Sequence, residues 1–326
     1  VCATKAKIAV DIGGTKILGA LFDEEGTIVQ RKKKATKAYK GEQGVFDQLC
    51  KVIDGLLEHE QNGERTEAVA IGAGCPGVIR DGFIHFTPNL PWSGFDLKAK
   101  LEEKYGLPTS VGNDANVSLL GEWKYGAAKG FTDVVGYFIG TGIGGGLICN
   151  GKLYTGSIGA AGEIGHMILL PDGPFCGCGA RGCLESVASK TGILKEIRSQ
   201  VERGRETLFA QWVKEEDYIL KSSHFKEAVE AGDGLAREIL DDTGRFIGVS
   251  CASMINLLNP ELVVLGGGVM QSLGDLLLPS IVEHARQYAI LQNFQAARFT
   301  LASLGDDACL FGALSMVQEK ESNREA

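Results

Sequence analysis

The sequence predicts an α/β protein of two domains, and three observations carry that expectation. The chain has 326 residues, and at roughly 100–200 residues per domain two domains are the natural division. Short apolar runs bounded by glycine turns alternate with stretches of helical spacing. One glycine-turn hairpin also occurs twice: Asp11 to Gly26 and Ile139 to Gly151 share the layout strand, Gly/Thr turn, strand, polar turn. A repeat of that kind suggests a duplicated domain. Each copy opens with antiparallel strands and continues with alternating helices and strands.

The elements read as follows. Ile8-Ala9-Val10 is an apolar strand broken by Gly13-Gly14-Thr15, and Ile17 to Phe22 resumes it. Asp23 to Gly26 is a turn, and Thr27-Ile28-Val29 begins a third strand. Val45, Phe46, Leu49, Val52, Ile53, Leu56 and Leu57 recur at helical spacing over three turns. Ala68 to Ile71 is a short buried strand. Val134 to Ile139 opens the second copy, Gly140-Thr141-Gly142 turns it, and Gly145 to Cys149 follows. Asp233 to Leu258 is a long, mostly apolar stretch stopped at Asn259-Pro260. Leu262 to Leu265 is a buried strand that runs into Gly266-Gly267-Gly268. No low-complexity linker separates the halves, so the boundary is expected at a hinge inside continuous structure, near Asn113 to Asn116. The polar end, Gln318 to Ala326, is expected to fray.

Composition excludes several classes. The chain is 44% hydrophobic and 23% charged, close to an ordinary globular protein. Its net charge of −8 does not suggest a nucleic-acid-binding surface. The one dense basic run, Arg31 to Lys34, reads as a solvated edge that discourages strand pairing. No apolar run reaches the roughly 18–20 residues of a membrane span, and the first residues do not have the pattern of a signal peptide. Most of the nine cysteines are scattered singly in apolar contexts. That fits a reducing, cytoplasmic compartment better than a disulfide framework.

Two glycine turns suit phosphates. In Asp11-Ile12-Gly13-Gly14-Thr15-Lys16, adjacent glycines let backbone N–H groups approach an anion, Thr15 adds a hydroxyl, and Asp11 can hold Mg²⁺. A hairpin beside a solvated Asp accounts for the same residues. Gly140-Thr141-Gly142-Ile143-Gly144-Gly145-Gly146 is the second turn. It matches G-x-G-x-x-G, as does Gly72 to Gly77, but both run into strands and not into the helix a dinucleotide site needs. No P-loop motif occurs. Gly266 to Gly268 admits either an adenosine or a tight strand–helix connection.

Cys176-Gly177-Cys178-Gly179-Ala180-Arg181-Gly182-Cys183 packs three thiols into one glycine-rich loop, and His166 precedes it. Three Cys and one His compose a closed tetrahedral zinc site of the structural kind. Surface thiols with an unrelated His, or a disulfide, are the alternatives. Glu163 and Glu185 flank the cluster as candidate acceptors for sugar hydroxyls, or as helix caps. Asn113-Asp114 sits at a strand-to-helix junction. Asp114 is either a cap or the single carboxylate that phosphoryl transfer needs as a proton acceptor. Pro88-Asn89-Leu90-Pro91-Trp92 is a rigid turn that lines a sugar pocket or serves as a plain loop.

Taken in order, Asp11 to Lys16, Asn113-Asp114, Gly140 to Gly146, Glu163-x-Gly165-His166 and Cys176-x-Cys178-Gly179-x-x-Gly182-Cys183-x-Glu185 resemble the repressor, open reading frame, kinase (ROK) family, and its bacterial glucokinases most. The resemblance runs from Ile8 to about Met316. It implies an actin-like ATPase fold, with two ribonuclease-H-like domains and a sugar cleft between them. The N-terminal α/β domain would span residues 1–115 and the C-terminal one, with the zinc loop, 116–305. A last helix at about 306–326 would pack back on the first. The resemblance implies Asp114 as catalytic base, and Asn113, Glu163, His166 and Glu185 on the sugar with Gly77 and Asn89 nearby. It places His166, Cys176, Cys178 and Cys183 on zinc. Asp11, Gly13, Gly14, Thr15, Lys16, Gly140, Thr141 and Gly142 would serve the phosphates, and Gly266, Gly267 and Gly268 would border adenosine.

The expected activity is ATP- and Mg²⁺-dependent phosphorylation of a hexose at its 6-hydroxyl, glucose first, in carbohydrate metabolism and glycolysis. N-acetylglucosamine, N-acetylmannosamine, mannose and fructose are alternatives, as is polyphosphate in place of ATP. The implied partners are a sugar and a nucleotide, with no nucleic acid or membrane, in a homodimer or higher homo-oligomer. A sugar-sensing regulator is the other class. Family repressors carry a winged helix-turn-helix before the first glycine turn, and only ten residues precede Asp11 here.

Overall fold

The computed structural model of the protein describes residues 5–61, 64–215 and 218–325. The first part of the chain forms β1 (Lys5–Ile12), β2 (Lys16–Phe22), β3 (Ile28–Ala35), α1 (Gly41–Leu57), a short pair β4 (Glu60–Gln61) and β5 (Glu64–Arg65), and β6 (Glu67–Cys75). Then come β7 (Val78–Arg80), β8 (Phe83–Phe86), β9 (Phe95–Asp96), α2 (Leu97–Tyr105), β10 (Thr109–Asn113) and α3 (Asp114–Tyr125). The second part forms β11 (Val134–Ile139), β12 (Ile143–Cys149), β13 (Lys152–Leu153), α4 (Leu184–Ala188), α5 (Lys190–Glu202), α6 (Ser222–Glu230) and α7 (Gly234–Leu258). It closes with β14 (Leu262–Gly266), α8 (Gly267–Tyr288), α9 (Leu291–Ala296), β15 (Arg298–Leu301) and α10 (Ala308–Glu325). Two compact units result. One comprises Val1–Gly130, Leu153–Ala161 and Asp306–Ala326, the other Phe131–Lys152 and Gly162–Gly305.

In the first unit the sheet order is β10-β6-β1-β2-β3. β1 pairs in parallel with β6, and β6 with β10, while β1–β2 and β2–β3 are antiparallel. A strand covered on both faces reads as a continuous apolar run, and Ile8, Ala9, Val10 and Ile12 of β1 are all fully buried. On one face lies α1, whose Val45, Leu49, Val52, Ile53 and Leu56 are buried at the helical spacing seen in the sequence. Each such side chain stabilises by about 1.5–3 kcal/mol. On the other face α10 packs Leu310, Ala313 and Leu314 against Ala9, Ala20 and Phe22, with Val117 of α3. β3 is the edge strand. Within its basic run Arg31 makes a two-pronged ion pair with Asp307, one arm at 2.8 Å, while Lys33 and Lys34 are exposed.

The second unit has the sheet order β13-β12-β11-β14-β15. β11–β12 is antiparallel, and β11–β14 and β14–β15 are parallel. The long α7 starts where the Asp233 carboxylate accepts the Ala236 N–H at 3.0 Å. It stops at Asn259, whose φ of 46° is the left-handed conformation that asparagine tolerates at a helix end. Its buried face joins α8 and the sheet in one core that includes Tyr137, Ile247, Cys251, Val263 and Leu277.

The sheet topology corrects the expected fold class. In place of an actin-like ATPase fold of two ribonuclease-H-like domains with a cleft between them, the chain shows an α/β fold of mixed open sheets flanked by helices. The two sheets share one strand order and one pairing pattern, an antiparallel hairpin followed by two parallel strands, and the units differ in what surrounds the sheets. The first is assembled from three separate stretches and carries an added three-stranded sheet, β7-β8-β9. The repeated hairpin is β1–β2 and β11–β12, and the parallel strands β6-β10 and β14-β15 extend the repeat on the same side of each. Among the described residues, no helix is long and apolar enough to cross a membrane.

Candidate active site

In the first unit β1, β6 and β10 end together: Asp11 is in register with Gly74, and Gly74 with Gly112. Ligands of open α/β sheets gather at such carboxyl ends, where the following turns carry free backbone donors. The turn after β1 is Gly13-Gly14-Thr15. Gly13 N–H donates to Lys16 O at 2.9 Å, which closes the turn on itself. Thr36, just past β3, clamps it from behind: its N–H donates to Thr15 O at 2.9 Å and its Oγ1 donates to Gly13 O at 2.6 Å. The turn borders a pocket of about 540 Å³ that also takes in Lys16 and the end of β3, Lys33 to Ala35. The Lys16 ammonium pairs with Asp306 at 2.8 Å. Asn89 lies against the turn, since a Cβ on Gly14 would fall 3.1 Å from Asn89 Cβ.

Asn113 caps α3. Its Oδ1 accepts the N–H groups of Ala115 and Asn116, each at 3.1 Å, and its Nδ2 donates to Gly77 O at 3.0 Å. The amide is thus engaged with backbone and brings Gly77 to the same corner. Asp114 accepts the Ala115 N–H on Oδ1 at 2.9 Å. Burial, and then the charge of Asp114, push the Asp11 carboxyl up to about 6, against the smaller opposing pulls of a Cys309 hydrogen bond and Lys16. Cys309 of α10 is buried, and its Sγ fills the space that a Cβ on Gly74 would need. A buried carboxyl beside a second carboxylate is relieved by a proton or by a cation. Trp92 takes no part in this corner. It is 1% exposed and stacked on Phe95 at 4.9 Å, so the Pro88–Trp92 turn is anchored in the core and leaves Asn89 exposed.

In the second unit the β11–β12 turn, Gly140 to Gly142, closes with Gly140 N–H donating to Gly142 O at 2.8 Å. Glu185, in the first turn of α4, reaches it: Oε2 accepts the Ile143 N–H at 2.8 Å, and Gly142 leaves the carboxylate room. The other oxygen, Oε1, lies 3.5 Å from Cys176 Sγ. Burial raises the Glu163 carboxyl, with His166 opposing and Glu185 reinforcing the shift. His166, Cys176, Cys178 and Cys183 each offer one ligand atom, and the four atoms lie within 4.8 Å of one another. Cys178 Sγ and Cys183 Sγ are 3.7 Å apart, far beyond a disulfide bond. Burial pushes the Cys176 thiol up to about 12, whereas a backbone hydrogen bond from Ala180 lowers that of Cys178. At the carboxyl end of β14, Gly266 borders a cavity of about 290 Å³ with Met270, Gln271, Asp275 and Ser303.

The structure therefore gathers Asp11, Gly13 to Lys16, Gly77, Asn89, Asn113 and Asp114 in one unit. It gathers Gly140 to Gly142, Glu163, His166, Glu185, the three cysteines and Gly266 to Gly268 in the other. Three residues near these groups escaped the reading of the sequence: Thr36, Cys309 and Lys190. Thr36 stands 23 residues from Gly13 and Cys309 near the far end of the chain. Neither belongs to a motif, and only folding brings them to the turn and to Asp11.

Two glycine turns, an acidic strand end and a His/Cys cluster thus stand at the turns and strand ends of mixed α/β sheets. The chain belongs to the ROK family, whose model matches residues 7–320. It is 36% identical over 325 residues to the glucokinase of Halalkalibacterium halodurans, covering 98% of this chain and 96% of that one. A ROK family glucokinase from Streptomyces griseus, solved with glucose and AMPPNP, superposes with a TM-score of 0.81 at 34% identity, covering 95% of this chain and 98% of that one. The xylose repressor of Caldicellulosiruptor bescii is 30% identical over 312 residues, covering 95% of this chain and 77% of that one.

Proposed function

We propose that this chain is an ATP-dependent glucokinase that transfers the γ-phosphoryl group of ATP to the 6-hydroxyl of glucose. The observation that carries this reading is the near full-length match to a bacterial glucokinase. The related structure with glucose and AMPPNP supports the same sugar and an adenine nucleotide as donor. ADP release with ATP, Mg²⁺ and one sugar at a time tests it. Glucose is expected to outrun mannose, fructose, N-acetylglucosamine and N-acetylmannosamine, and a chain inactive on glucose overturns it.

In this reading Asp114 accepts the proton of the 6-hydroxyl as the new O–P bond forms and the bond to ADP breaks. Its Oδ1 accepts the Ala115 N–H, which orients the carboxylate at the start of α3. Phosphoryl transfer asks little more of the protein than alignment and neutralised charge. The turn at Gly13 to Lys16 and the turn at Gly140 to Gly142 supply backbone donors for the phosphates, and Gly266 to Gly268 border the adenosine. Mg²⁺ fits the raised carboxyl of Asp11, which a divalent cation would hold ionised, and it would neutralise phosphate charge. Asn89, Asn113, Gly77, Glu163, His166 and Glu185 form the sugar-binding set.

The His/Cys cluster fits zinc. Tetrahedral coordination with Zn–S of about 2.3 Å and Zn–N of about 2.0–2.1 Å requires S–S edges near 3.8 Å and S–N edges near 3.5 Å. Cys178 Sγ–Cys183 Sγ and Cys176 Sγ–His166 Nδ1 are both 3.7 Å. With Nδ1 on the metal, His166 Nε2–H becomes a fixed donor for a sugar hydroxyl. Zinc would brace the loop that carries Glu185 and, through it, Ile143. The family resemblance supports a homodimer or higher homo-oligomer, which light scattering checks. The repressor match favours a second reading, a sugar-responsive regulator. Tight, sequence-selective binding of a promoter-length duplex would establish it.

A further inference from the structure

Lys190 opens α5, and none of the roles above uses it. Its N–H donates to Gly140 O at 3.0 Å, and the next residue, Thr191, donates from both its N–H and its Oγ1 to Thr141 O, at 3.4 and 2.9 Å. The start of α5 is therefore laced to the β11–β12 turn. Its ammonium points elsewhere. Nζ lies 3.6 Å from where a Cβ on Gly268 would stand, over bare backbone in the first turn of α8. Gly267, with φ of 85°, presses against Ile139 just before the same turn. A side chain at either glycine would crowd the space that Lys190 overlooks. The ammonium has no ion-pair or hydrogen-bond partner among the described residues.

The local electrostatics are one-sided. Helix N-termini carry partial positive charge and favour anions. Neither α5 nor α8 has an acidic residue in its first turn, and the N-cap of α8, Gly266, offers no side-chain acceptor. A lysine at that point adds positive charge where the helices already supply it. In the free protein this arrangement is unfavourable, and an anion held between the two glycine turns reverses the sign.

We infer that Lys190 binds the phosphate chain of the nucleotide, with its ammonium set between Gly140–Gly142 and Gly267–Gly268. The inference rests on the reading of these turns as nucleotide-binding. It commits to a charge contact and not to a role in placing the adenine or the sugar.

The test compares full-length wild type with Lys190→Arg, Lys190→Met and Lys190→Glu by calorimetry with ADP and with adenosine, and by glucose phosphorylation. A charge-assisted contact predicts ADP affinity about ten- to hundredfold weaker in Lys190→Met. Lys190→Arg should stay near wild type, Lys190→Glu should be weaker still, and adenosine affinity should not change. KM for ATP should rise while KM for glucose holds. Lys190→Glu should unfold at or above the wild-type temperature, because a carboxylate suits a helix N-terminus, which separates lost binding from lost folding. ADP binding by Lys190→Met equal to wild type overturns the inference, as does an equal loss of adenosine binding. A wild type that binds ADP without phosphorylating glucose refutes the kinase reading alone, and the ADP series still decides Lys190.

Discussion

Replacing Thr36 with valine tests whether the phosphate turn is pre-formed by its clamp. Valine keeps the shape and the backbone N–H bond to Thr15 O but removes the Oγ1 donor, leaving Gly13 O without its 2.6 Å partner. Thr36 is 0% exposed, so water cannot replace the lost bond. A buried acceptor stripped of its donor costs about 1–3 kcal/mol. In a unit of this size each 1 kcal/mol lowers the melting temperature by about 2–4 °C. If about 1 kcal/mol of that appears as loosening of Gly13 and Gly14, the ATP affinity falls about fivefold. Coupled-enzyme kinetics should show KM for ATP rising about that much with KM for glucose unchanged, and Thr36→Ser should recover most of both losses. Wild-type melting and wild-type KM for ATP in Thr36→Val would refute the clamp. A serine variant as impaired as the valine one would assign the effect to packing.

Asp114→Asn should retain glucose binding by calorimetry and lose most turnover, since the amide cannot accept the hydroxyl proton; a wild-type rate would remove Asp114 from the base role. Chelation of metal should raise KM for glucose and lower the melting temperature, with recovery on adding zinc, because structural metal binding is coupled to folding; a metal-free protein with unchanged sugar affinity would break the bracing argument. For Asp11 the pH dependence has a defined sign. Its carboxyl sits at about 6 against an ordinary 3.8, so its contribution to stability is complete below about pH 4 and is lost as pH rises through about 6. Asp11→Asn, free of that ionisation, should therefore be more stable than wild type at pH 8 without Mg²⁺, by up to about 3 kcal/mol, yet should lose activity. Equal denaturation midpoints there would show that Asp11 is not held under strain.

The glycine turns, the Asn113-Asp114 junction and the His/Cys loop were legible because each is local. Glycines, caps and clustered thiols reveal themselves within a few residues, and α1 and α7 declared themselves by spacing and by the stop at Asn259-Pro260. That Asn113 is the residue that caps α3 and also holds Gly77 O was not legible, because those contacts depend on where β10 ends.

By itself, then, the amino-acid sequence determined an α/β chain with two glycine-turn hairpins, an acidic junction and, in order, one His and three Cys of the kind that can hold a metal. Tertiary structure alone decided that β1, β6 and β10 end in register, so that Asp11 feels Asp114. It likewise decided that Thr36 clamps Gly13, that Cys309 meets Asp11 and that Lys190 overhangs Gly268. It also set the two like-ordered sheets in unequal surroundings, the first unit drawing on three separate stretches of chain. The reason is range. Turn chemistry and helical period are written between near neighbours, whereas cross-strand register and helix docking depend on burial shared by residues hundreds of positions apart.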